Sequence, residues 1–215
     1  MSSDALPVKD KEAVVRILSK RYQKSLVERV GRGSPYRILV ATILSQRTRD
    51  ETTERVAESF FRRFKSVWEL DAANVGEIRN LIKSVGFSSQ KAHNLKQTAR
   101  ILVEKYEGKV PDEEEKLKEL PGVGQKTAGC ILVYAFGKPA LPVDTHVHRI
   151  SNRLGWVKTK RPEETEKELK KVLKKDLWLP LNRIFVLFGR EVCQPREPKC
   201  VLCPIKRFCK QKQKS

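Results

Sequence analysis

Residues 118–149 read KELPGVGQKTAGCILVYAFGKPALPVDTHVHR, and the punctuation in this stretch decides how the rest of the chain is read. The segment leading into it, Glu113 to Leu120, is charged with apolar teeth at Leu117 and Leu120, the pattern of a short amphipathic helix. Pro121 removes a backbone donor, and Gly122 and Gly124 permit a positive φ, so that helix stops there. A second helix is expected from Gln125 through the apolar run Ala128 to Phe136. Helix, PGVG hairpin and helix leave backbone N–H groups of Gly122, Val123 and Gly124 at a helix N-terminus with no bulky side chain over them. That is a ready place for a phosphate.

Two residues beside the hairpin have the chemistry of a catalyst. Lys126 lies in the first turn of the second helix, where the positive end of the helix dipole and the loss of water to neighbours both favour the neutral amine. A neutral amine attacks a sugar carbon and becomes a Schiff base. Asp144, in Pro-Val-Asp-Thr-His, supplies a carboxylate to steer a proton or stabilise a cationic sugar. Both residues also have plain structural readings. Most lysines at helix starts are solvated, and Asp144 makes an ordinary N-cap for a helix over 145–154.

Lys and Arg number 45 against 26 Asp and Glu, a formal charge of +19 in 215 residues. Self-repulsion of that size weakens the compact state, so it points to an anionic partner, nucleic acid first. A membrane surface fits less well. There is no lipidation motif, and the longest apolar run, Cys130 to Phe136, is far too short to span a bilayer. Met1 to Pro7 lacks the charged start and apolar core of a signal peptide. An intracellular protein, cytoplasmic and at the nucleoid, is expected, and its five cysteines are then not disulfides. The large share of charge and the single Met also resemble the composition of proteins from hot environments.

Along the chain, residues 10–30 carry one helical stripe through Val14, Val15, Ile17, Leu18, Tyr22 and Leu26, ended by Gly31 and Gly33. Ser34-Pro35 opens a helix whose Ile38 to Leu44 is apolar nearly all round, the mark of burial. Helices are expected over 51–64, 75–85, 89–106, 162–175 and 179–193. In all, about ten helices and no strand are predicted, an all-α protein. The terminal KQKQKS is expected to be disordered.

Cys193, Cys200, Cys203 and Cys209 are spaced C-x6-C-x2-C-x5-C. Thiols at that density in a reducing compartment point to a metal or cluster site, either a Cys₄ zinc or an iron–sulfur cluster. A single C-x2-C departs from the two short knuckles usual for zinc. Cys130, inside an apolar helix, reads as a small core residue. Arg196, Lys199, Lys206 and Arg207 would give the cysteine loops a row of cations for a phosphate backbone, while Lys210, Lys212 and Lys214 read as solvated tail charges.

LPGVGQKTA followed by VDTHVHR resembles the helix-hairpin-helix DNA glycosylases of the endonuclease III branch, over most of the chain from Ser34 to Cys209. The resemblance implies two all-helical domains with a cleft between them. A six-helix domain would occupy 28–138, and a discontinuous domain, 1–27 with 139–215, would carry a 4Fe–4S cluster on the four cysteines. It makes Lys126 the nucleophile and Asp144 its catalytic partner. It also implies that Phe87 in Gly86-Phe87-Ser88, and Gln46 or Arg47 in the preceding loop, fill the gap left by a flipped nucleotide. Many relatives have glutamine where Arg47 stands, and bacterial members often have arginine where Gln125 stands. Lys91 and His146 fall next to DNA or the active site, Lys91 as a phosphate contact. The activity implied is that of a monomeric, bifunctional glycosylase and abasic-site lyase removing oxidised pyrimidines from duplex DNA. Mismatch and adenine glycosylases of the superfamily generally lack the nucleophilic lysine, and a non-enzymatic DNA-binding iron–sulfur protein would need neither Lys126 nor Asp144.

Overall fold

The structure is a computed structural model in which residues 8–211 are described. Twelve α-helices and three short 3₁₀ turns make up its regular structure, with no strand among the described residues. The protein is all-α, as the helical periodicity predicts. It divides into two compact units, one continuous, Leu26–Lys138, and one built from Met1–Ser25 with Pro139–Ser215. Helix α1 (Val8–Arg21) opens the discontinuous unit. The continuous unit holds α2 (Leu26–Gly31), α3 (Pro35–Ser45), α4 (Asp50–Arg63), α5 (Val67–Ala72), α6 (Val75–Leu81), α7 (Ser88–Tyr106), α8 (Glu114–Lys118) and α9 (Gln125–Phe136). Helices α10 (Thr145–Arg153), α11 (Pro162–Val172) and α12 (Trp178–Glu191) complete the discontinuous unit.

The continuous unit is organised around α3. Ser34 caps it by accepting from Arg37 N at 3.4 Å, Pro35 occupies the first turn, and Ile38 through Leu44 are buried without a break. Helices α2, α4, α7 and α9 pack around it, which is why the helix needs no polar face. Each fully buried Leu or Ile there contributes roughly 1.5–3 kcal/mol by leaving water. Such a core holds the loop after α3 and the start of α9 in fixed places.

In the discontinuous unit, Val14, Leu18, Ile150, Ile184, Phe185 and Phe188 form the centre of the core. The cysteine segment is fastened to the same core by Ile205 and Phe208, with Cys193, Cys203 and Cys209 packed against it. No helix among the described residues is long and apolar enough to cross a membrane. Lys212 to Ser215, most of the KQKQKS tail, lie outside the described residues.

Several helix limits differ from those expected. The single stripe over 10–30 is broken at residues 22–25. The face of Val14 and Leu18 joins the core of the discontinuous unit, whereas Leu26 and Val30 are buried on α2, which packs against α3. One straight helix cannot serve two cores. Helix α5 was not expected, yet its cap is legible. Ser66 Oγ accepts from Glu69 N at 3.3 Å, and the Glu69 carboxylate accepts from Lys65 N at 3.0 Å, a variant of the S-x-x-E box. Helix α6 ends at Leu81 rather than at residue 85, and a turn closed by Val85 N to Ile82 O at 3.0 Å carries the chain to Gly86. Helix α11 ends at Val172 because Leu173 turns to an extended conformation, where its carbonyl accepts from the Trp178 indole at 3.2 Å.

Candidate functional site

The hairpin after α8 closes through Leu120 N to Leu117 O at 3.1 Å and Val123 N to Leu120 O at 3.0 Å. Gly122 has φ +82°, and a Cβ on it would lie 2.7 Å from Asn94 Nδ2, so the turn accepts no other residue without a shift. Val123 is buried and its N–H is spent on Leu120 O, so of the three hairpin residues expected to meet a phosphate it has no donor to offer. Gly124 is the N-cap of α9 and accepts from Ala128 N at 2.9 Å, and no side chain caps the helix. A Cβ built on Gly124 would meet nothing within 4 Å. The first-turn N–H groups of α9 therefore sit at an uncovered helix start, as an anion site requires. Lys126 stands there with its side chain exposed. Gln125 Nε2 donates to the Glu114 carboxylate and ties the two hairpin helices together.

The two loops expected to fill a gap in the duplex lie side by side. Arg47 and Phe87 both adopt left-handed backbone, φ 50° and 58°, and the Arg47 guanidinium lies 5.2 Å from the centre of the Phe87 ring. Phe87 is 58% exposed, although Ala92, Leu95, Ala99 and Leu102 on the helix it heads are buried. Gln46 and Arg47, the two candidates in the first loop, differ in their hydrogen bonds. Gln46 Nε2 donates to Gly122 O at 3.0 Å and to Thr127 Oγ1 at 3.2 Å, joining its loop to the hairpin, while Arg47 is exposed.

Lys91 departs from its expected place. Only 4% exposed, it donates to Leu44 O at 2.8 Å, to Gln46 O, and to Thr48 Oγ1 at 3.1 Å. A phosphate contact gives way to an internal one, because an ammonium has three donors and all are spent inside. Burial pushes its pKa down to about 8.

In the discontinuous unit, Asp144 is the N-cap of α10 and accepts from His146 N and Val147 N, both at 2.9 Å and both on Oδ1. His146 Nδ1 accepts from the Arg149 guanidinium at 3.1 Å. Arg149 also donates to Cys193 O at 2.9 Å and to Gly189 O at 3.3 Å. A Cβ on Gly189 would fall 2.5 Å from His146 Nδ1, so α12 can approach α10 this closely only with glycine there. Arg153, one turn beyond Arg149, donates to Gln194 O at 2.7 Å, to Pro195 O at 2.8 Å and to Cys193 Sγ at 3.3 Å. Its own carbonyl receives Lys210 N and Gln211 N, each at 3.1 Å. Both ends of the cysteine segment are thus fastened to α10. Sequence reasoning did not single out Arg149 or Arg153. The signal available was their i, i+4 spacing on the helix that Asp144 caps.

All four cysteines of the C-terminal segment are partly buried free thiols, and Cys130 is buried. Burial first, and then the charges of the neighbouring cysteines, push the thiols of Cys203 and Cys209 up. The sulfurs therefore feel one another. Even so, among the described residues no three His, Cys, Asp or Glu side chains close on one point as a single metal ion demands.

Residues 40–175 match the family described as HhH-GPD superfamily base excision DNA repair protein. Endonuclease III of Thermotoga maritima is 50% identical over 198 residues, covering 92% of this chain and 91% of that protein. A solved non-covalent endonuclease III–DNA complex superposes with a TM-score of 0.85 at 32% identity, over 95% of this chain and 96% of that one. A trapped endonuclease III–DNA covalent intermediate, an estranged-adenine complex, superposes with a TM-score of 0.82 at 30% identity, over the same shares of 95% and 96%.

Proposed function

The chain belongs to the HhH-GPD superfamily of base-excision DNA repair proteins, and from that premise we propose that it is a bifunctional glycosylase and abasic-site lyase removing oxidised pyrimidines from duplex DNA. The observation that carries this reading is Lys126 in the first turn of α9, beside an uncapped helix start that follows a PGVG hairpin. Phosphate oxygens of the lesion strand dock on the N–H groups of Gly122, Gly124 and the first turn of α9, which sets the lysine next to the sugar. The neutral amine attacks C1′ of the flipped nucleotide, and the C1′–N bond breaks with its electron pair leaving on the base, which takes up a proton. The sugar ring opens and the nitrogen becomes an imine. Loss of a proton from C2′ then pushes electrons toward C3′, and the C3′–O bond breaks to cut the strand. Asp144, oriented by the two N–H bonds to Oδ1, stabilises the cationic sugar and handles the proton. An excision assay across duplexes with different damaged pyrimidines and mismatches tests the substrate class. Release of adenine or mismatched thymine, with oxidised pyrimidines left in place, would move the protein to another branch of the superfamily.

Cys193, Cys200, Cys203 and Cys209 would hold a 4Fe–4S cluster. The fit lies in the donor set: four thiols within one short segment, three of them, Cys193, Cys203 and Cys209, packed against one core, suit a group ligated by four thiolates. When bound, such a cluster supplies rigidity to the segment that carries Arg196, Lys199, Lys206 and Arg207, all exposed. Purified protein is expected to be brown and to release iron and inorganic sulfide on acid treatment, and Cys203→Ala is expected to fold poorly. Stoichiometric zinc without sulfide would defeat this assignment. The protein is expected to act as a monomer, in the cytoplasm at the nucleoid.

A further inference from the structure

Lys91 is a buried cation to which the chemistry above assigns no task. Its ammonium hydrogen bonds run to Leu44 O, Gln46 O and Thr48 Oγ1, all at the end of α3 or in the loop that follows. Its own backbone N donates to Phe87 O at 3.0 Å, in the other loop. Thr48 is the second half of the fastening. Its hydroxyl accepts from Lys91 and, at 3.2 Å, from Gly86 N, and donates to Gln46 O at 3.1 Å, so every donor and acceptor it has is used. At Gly86 the two loops come so close that a Cβ would lie 2.5 Å from Arg47 O. Between these ties sit two non-glycine residues in left-handed backbone, Arg47 and Phe87, cation over ring and both exposed. Left-handed backbone in side chains of this size persists only where the surroundings hold it.

We propose that Lys91 is the positioning residue of the wedge: it locks the loops at residues 46–48 and 86–88 into one preassembled tip, Arg47 on Phe87, on which extrusion of the damaged nucleotide depends. The inference rests on the glycosylase reading and deepens it. A tip ordered in advance enters the base stack without first losing the rotamer freedom of an arginine and a phenylalanine. The inward turn of the ammonium, and its pKa brought down by burial to about 8, agree with a role inside the protein rather than on a phosphate.

The test compares wild type with Lys91→Met, which keeps the unbranched stem of the side chain and removes the ammonium with its donors, and with Thr48→Val, which removes the shared hydroxyl at nearly constant volume. Single-turnover excision is measured on a lesion paired within duplex DNA and on the same lesion inside an unpaired bubble. Fluorescence of an aminopurine opposite a synthetic abasic site reports unstacking directly. Both variants are expected to slow excision from the paired duplex by about tenfold, the scale of one immobilised side chain. They should stay within about twofold on the bubble, weaken the aminopurine signal and leave the salt dependence of binding unchanged. Equal losses on both substrates with a lowered Tm would reduce Lys91 to a fold-stabilising residue. A salt slope smaller by about 0.9 would make it a phosphate contact after all. If wild type excised from neither substrate, the glycosylase reading would fall, and the aminopurine signal at the abasic site would still judge the wedge.

Discussion

Lys126→Gln is expected to lose borohydride trapping on abasic-site DNA and strand scission by at least about 10³-fold, while binding the same duplex within a few-fold of wild type. The amine is the only group at the start of α9 that can form a Schiff base, and glutamine, one atom shorter, stays polar without its nucleophilicity. Tuned catalytic lysines titrate at roughly 7–8 rather than ~10.4, a difference of about 4 kcal/mol. A helix N-terminus supplies about 0.3–1 kcal/mol of that. Loss of water around the amine, when duplex closes over it, would supply the remainder. Asp144→Asn separates chemistry from structure at the second residue. Asparagine caps a helix about as well as aspartate, so the bonds from His146 N and Val147 N survive and stability holds. The loss of charge should then appear as a rate lower by about 10²-fold, the scale of acid–base and electrostatic contributions, with affinity kept. Full cleavage and trapping by Lys126→Gln would name another amine as the nucleophile.

Affinity for undamaged duplex is expected to fall about 500-fold between 50 and 200 mM salt, if ~5 phosphates are neutralised at a slope of about −0.9 each. The formal charge of +19 is the reason to expect so steep a fall. The cations that should carry it are exposed ones, Arg196, Lys199, Lys206 and Arg207 on the cysteine segment. Lys91 contributes nothing to the slope, because its charge is buried and its donors are occupied. Charge-reversing pairs of the exposed residues should lower the slope by the number of contacts removed. An affinity indifferent to salt would leave the charge of the chain without a purpose.

Reading the sequence alone was sufficient for features whose cause is local. Pro121, Gly122 and Gly124 end one helix and start another because φ and backbone donors are properties of those residues. Asp144 before Thr145 makes a cap for the same reason, and α3 is buried because its apolar residues leave no polar face. The cysteine spacing and the excess of Lys and Arg need no coordinates either. What tertiary structure alone decided is where long or exposed side chains spend their bonds. Lys91 reads as a surface lysine until α7 is packed on α3, which brings the carbonyls of Leu44 and Gln46 to its ammonium. Arg47 rather than Gln46 is presented outward only because Gln46 finds Gly122 O in the hairpin. The stripe over 10–30 looks like one helix until two separate cores claim its two ends. A periodic pattern records which face is apolar, but the partner of a flexible donor is set by elements distant in the chain, and only their packing brings that partner within hydrogen-bonding reach.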